Sequence, residues 1–151
     1  MSATRDLIGS TAQERAAQKT VSIARKIEQR VAGRLDELAQ LRDDWDSYGG
    51  LAPTEPALAA GRALATEVGG RLGEVVGEKT GPYNIAPLAD GGIQVEWRRG
   101  RDALEVWVWI SPEGTLGYLL VEDHAGEARY SEADEVAWSS LLGLIDRTLL
   151  R

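Results

Sequence analysis

The sequence predicts an α+β domain in the order ααββββα, and three observations carry that prediction. An apolar period of three to four residues runs from Thr11 to about Asp43, a period of two replaces it after Pro82, and a helical period returns from Ser131. At 151 residues without cysteine, the chain is long enough to bury one core and holds neither disulfides nor thiolate metal sites.

The first helix is written in Ala17, Val21, Ala24, Ile27, Val31, Leu35, Leu38 and Leu41, which step by three or four through a stretch with no proline and a single glycine. Thr11 and Glu14 have the spacing of a capping box, in which each side chain satisfies the other residue's free amide. A helix of about 32 residues spans roughly 48 Å, more than the diameter of a domain this size, so part of it is expected to project, bend or pair. The expected organisation is therefore a helical arm over 1–42 and a compact body over 43–151. The small residues Ala17, Ala24 and Gly33 thin the stripe, so a homodimer through this helix is open but weakly encoded.

The segment Asp43-Asp44-Trp45-Asp46-Ser47-Tyr48-Gly49-Gly50 reads as a turn, with paired glycines and aspartates able to bond nearby amides. Thr54, Glu55 and Pro56 then open a second helix, which is expected to stop at Gly69-Gly70 and give way to a glycine-rich loop up to Pro82. A four-stranded antiparallel meander follows over 83–88, 93–98, 103–110 and 115–122, joined by turns at 90–92, 99–102 and 111–114. Residues 131–150 close the chain as an amphipathic helix, with Ser131 as its cap and Asp134 near its N-terminal end.

Charge divides the chain unevenly. Residues 1–42 hold eight basic and five acidic residues, for +3, and residues 43–151 hold nine and nineteen, for −10. An acidic body disfavours nucleic acid and favours a basic protein partner, although ordinary solubility accounts for the same charge. The basic groups Arg25, Lys26, Arg30 and Arg34 are the best candidate for tracking phosphates, but interleaved acids weaken it, and Arg98, Arg99 and Arg101 read as a solvated hairpin loop. No run is apolar enough to span a membrane and the first residues lack a signal-peptide pattern, so a cytoplasmic location is expected.

Catalytic templates fail. The only histidine, His124, lies in a turn pattern, and the chain has no nucleophile elbow, phosphate loop, paired-histidine helix or dinucleotide fingerprint. No cofactor is implied. Asp43, Asp44 and Asp46 beside Trp45 and Tyr48 admit three readings: turn hydrogen bonding, contact with a partner, or a divalent metal serving a metal-dependent enzyme. In the third strand, alternation sends Leu104, Val106, Val108 and Ile110 to one face and Glu105, Trp107 and Trp109 to the other. Pairing with the second strand adds Ile93, Val95 and Trp97 to the first face and Gln94, Glu96 and Arg98 to the second. The mixed second face is expected to be covered by a helix of the same chain, with an open docking platform as the alternative.

The turn Trp45-Asp46-Ser47-Tyr48-Gly49, then Pro53 and a small-residue helix, then Pro87 and Asp90-Gly91-Gly92-Ile93-Gln94-Val95-Glu96-Trp97, resembles a group of small uncharacterised bacterial proteins. The resemblance covers about residues 43–121, with Gly50 where alanine is expected, and it implies one α+β unit without an activity. The expected function is a noncatalytic, acidic protein-binding module of the antitoxin, immunity or adaptor kind, with Trp45, Asp46, Tyr48, Trp107 and Trp109 as contact residues. The alternatives are a structural subunit docked or dimerised through the first helix, and the metal-dependent enzyme.

Overall fold

A computed structural model describes residues 11–99, 104–124 and 126–150. Helix α1, Ala12–Ala39, starts where the capping box places it: the Glu14 amide donates to Thr11 Oγ1 at 3.2 Å and the Thr11 amide to Glu14 Oε2 at 3.0 Å. Its second half is packed. Ile27, Val31, Leu35 and Leu38 are all buried in the core, so that part of the stripe is covered by its own chain. The apolar side chains Ala17 and Val21 lie outside the described set.

Helix α2, Glu55–Val76, begins under Thr54, whose Oγ1 accepts from the Ala57 amide, and runs eight residues past the expected stop. Leu64, Val68 and Leu72 repeat at intervals of four and are buried, and that packing carries the helix through Gly69, Gly70 and Gly73 despite their poor propensity. The chain leaves the helix at Gly77, where φ is +77°, and passes through a 3-10 turn, Gly77–Thr80. Gly61 marks a close approach: a Cβ there would lie 2.5 Å from Ile93 Cδ1 of the sheet beneath, so that side chain would have to shift.

The sheet has five strands rather than four, in the order β1-β2-β3-β4-β5, and every neighbouring pair is antiparallel. β1 is Asn84–Pro87, β2 Ile93–Arg99, β3 Leu104–Ile110, β4 Leu116–His124 and β5 Glu127–Val136. The last strand takes residues expected to begin the C-terminal helix, which instead starts at Trp138 and runs to Leu150 as α3. Glu127-Ala128-Arg129-Tyr130-Ser131-Glu132 are all exposed and carry almost no apolar signal, so no hydrophobic period announces the strand. The tight turn at Gly126, whose amide donates to Asp123 Oδ1 and whose φ is +86°, folds it back onto the backbone edge of β4.

One face of the sheet builds the core. Ile85, Ile93, Val95, Trp97, Val106, Val108, Ile110, Leu116 and Leu120 pack there with side chains from all three helices. Trp97 is wholly buried, and its indole N–H reaches the Thr80 carbonyl at 3.0 Å. Arg99, expected to be solvated, donates instead to the Leu149 carbonyl at the end of α3. Arg101 lies outside the described residues.

Candidate protein-binding surface

The second sheet face differs from the expectation of a covering helix: among the described residues, the helices all pack on the first face and leave the second open. Side chains available for a second layer are already engaged, since the apolar surfaces of α1, α2 and α3 converge on one core. The open face presents Gln94, Glu96 and Arg98 from β2, Glu105, Trp107 and Trp109 from β3, and Leu119 and Val121 from β4. Tyr130 and Glu132 of β5 continue it, paired with Val121 and Leu119.

Local bonds hold these side chains in place. The Trp107 indole N–H donates to Glu105 Oε2 at 2.9 Å, and the other Glu105 oxygen accepts from Arg98 Nε at 2.9 Å. The Arg98 guanidinium lies 3.9 Å from the centre of the Tyr83 ring, so this arginine is engaged although its side chain remains exposed. Gln94 donates to Glu96 Oε1 at 2.8 Å. Trp109 lies across its directly paired neighbour Gly117: any Cβ there would overlap the indole, whose N–H reaches Asp134 Oδ1 of β5 at 2.9 Å. Both indoles are half-buried, and each is held by its N–H bond to a carboxylate. A rigid aromatic surface bordered by carboxylates is suited to a protein with apolar and basic contact groups, because little side-chain freedom remains to be lost on binding.

The aspartate turn is a separate network. Asp46 Oδ1 accepts from the Tyr48 and Gly50 amides, Asp44 Oδ1 from the Gly49 amide, and Asp43 Oδ1 from the Ala52 amide, all between 2.8 and 2.9 Å. Those bonds hold the Asp46 carboxyl below its ordinary value, because they favour the charged form. They also support left-handed backbone at Asp44, φ +67°, and Ser47, φ +65°. The Trp45 indole N–H donates to the Leu51 carbonyl, and the Leu51 amide to the Ala89 carbonyl, so the turn is tied to the β1–β2 hairpin. Among the described residues, no group of three or more potential ligands is arranged to hold a metal. Tyr48 is 93% exposed, so its ring stands in solvent.

The sequence candidates thus fall into two places, the turn with Trp45, Asp46 and Tyr48, and the open face with Trp107 and Trp109. Sequence reasoning missed Tyr130, Glu132 and Asp134: it began the C-terminal helix at Ser131, which took in Glu132 and Asp134, and left Tyr130 between the last expected strand and that helix. On α1, Arg30 donates to the Pro82 carbonyl and Arg34 to the Ile85 carbonyl, so the basic stripe is partly occupied with the edge of β1. The groove of about 370 Å³ beside them is lined by these engaged arginines, Tyr83 and Asn84. The side chain of His124 lies outside the described set. No helix among the described residues is long and apolar enough to cross a membrane.

No family model, no curated protein and no solved structure matches the chain.

Proposed function

We propose that the protein is a noncatalytic binding module that docks a basic protein partner on the open face of its sheet. The observation that carries this reading is the pair of indoles, Trp107 and Trp109, fixed by bonds to Glu105 and Asp134 on a face that no described helix covers. Aromatic anchors held rigid at the centre of a charged surface are the side chains on which protein interfaces concentrate their energy. The −10 charge of residues 43–151 supplies the complementary field for a basic partner. In this reading Trp45 and Asp46 brace the turn, and Tyr48 is a secondary contact.

Affinity purification of the tagged protein from its native host, in parallel with Trp107→Arg, tests the proposal. A basic protein recovered at fixed stoichiometry with the parent chain and lost with Trp107→Arg is the expected result. Recovery of no stoichiometric partner, or of one that ignores the substitution, overturns it.

A further inference from the structure

The two edges of the sheet are treated differently. β1 has four residues, ends in Pro87, and has its Ile85 carbonyl bonded by Arg34 of α1, while Arg30 bonds the Pro82 carbonyl just before the strand. Those are the usual devices against strand addition: a short edge, a proline and guarding cations. β5 has ten residues and, among the described residues, pairs with β4 alone. Its register runs unbroken over 127–133, and the irregularity near Leu116 and Tyr118 touches only its final residues, where Glu135 has φ +51°. Over those seven residues the strand has no proline and its register with β4 has no bulge, so alternate backbone N–H and C=O groups of a regular strand point away from β4.

We infer that the β5 edge accepts an extended basic segment of the partner as a sixth strand, an inference that rests on the binding role proposed above. Charge selects the occupant. The strand carries Glu127, Glu132, Asp134 and Glu135 against Arg129 alone, so a second copy would set two acidic edges side by side, whereas a basic segment is attracted. The side chains specify more than net charge. Glu132 and Tyr130 project on the open face at alternate positions, so the incoming strand is matched by a cation opposite Glu132 and an apolar group or lysine stem beside Tyr130. The recognised pattern alternates basic and aliphatic residues, with main-chain hydrogen bonds supplying affinity and the alternation supplying register. Such a strand would also extend the platform next to Trp109, whose partner Asp134 belongs to β5.

The experiment follows the backbone amides of the full chain by NMR hydrogen exchange while a peptide of about ten residues alternating lysine and valine is added. The same peptide N-methylated at every second amide keeps its charge and loses the donors of one edge. Expected are new protection at alternate residues within 127–133, binding about tenfold weaker for the methylated peptide, and about fivefold weaker for Glu132→Lys with the unmodified one. Binding that ignores methylation and is lost in Trp107→Ala places the partner on the face and overturns the edge inference, while leaving the binding role intact. Failure of the peptide to bind, when a stoichiometric partner is nevertheless recovered from the host, likewise overturns the edge inference alone. A dimer of the protein alone that protects the same amides overturns it in favour of a second copy. Failure of both the peptide and the host purification removes the binding role itself.

Discussion

The two faces of the sheet are made from alternate residues of the same strands, yet they do opposite things. On one face Ile93, Val95, Trp97, Val106, Val108 and Ile110 are fully buried under three helices. On the other, Trp107 and Trp109 are only half-buried and are positioned by carboxylates and, for Trp109, by contact across Gly117. The difference teaches that an aromatic-rich strand does not by itself say which side is core. What decides is where the amphipathic helices find their largest continuous apolar surface, and the branched and aromatic side chains of the first face supply it.

The sharpest way to break that comparison is to truncate one tryptophan on each face. Trp97→Ala removes a wholly buried indole and leaves the Thr80 carbonyl without its donor, so it is expected to cost about 3–5 kcal/mol. Trp107→Ala takes a half-buried ring off the outer face and is expected to cost about 1–2 kcal/mol while removing partner binding. Denaturant unfolding of both variants measures the gap. Equal losses would mean that the outer indole is structural, and the platform reading would fail.

A smaller effect sharpens the picture of the open face. At Gly117 an added side chain would overlap the Trp109 ring, so Gly117→Val must push the indole off the sheet and break its bond to Asp134. The expected cost is about 1–2 kcal/mol, with a red-shifted tryptophan emission as the ring enters water. An unchanged spectrum would show that Trp109 is not held across Gly117.

Much of this architecture was legible in the residues. The Thr11–Glu14 capping box, the Thr54 cap and the alternation in β2 and β3 each rest on short-range rules, and the structure realises them at the expected positions. The failures share a cause, which is that the deciding contact is distant in sequence or made by backbone. β5 forms because β4 offers it a ladder of main-chain groups, and its exposed side chains leave no pattern to detect. α2 continues through Gly69, Gly70 and Gly73 because Leu72 is buried against partners elsewhere in the fold. The candidate site was half legible: alternation put Trp107 and Trp109 on one face, but only the docking of all three helices on the other face leaves theirs open.

The last test separates acids that hold the fold from acids that face outward. Asp46 accepts amide bonds from Tyr48 and Gly50, whereas Glu132 projects from an edge strand. Because those bonds lower the Asp46 pKa in the folded state, the folded protein binds its proton less readily than the unfolded chain does. The resulting stability is present in full above the ordinary value of 3.8 and disappears as the pH falls through the lowered one. Asp46→Asn is therefore expected to flatten the acid limb of a stability-against-pH curve below that value, while leaving binding to a basic partner at neutral pH nearly unchanged. Glu132→Lys is expected instead to weaken the partner at neutral pH. Urea unfolding across the acid range, with partner affinity measured at neutral pH, compares the two. If Asp46→Asn abolished binding while leaving the acid limb intact, the turn would belong to the interface, and the boundary drawn between bracing acids and contact acids would move to include it.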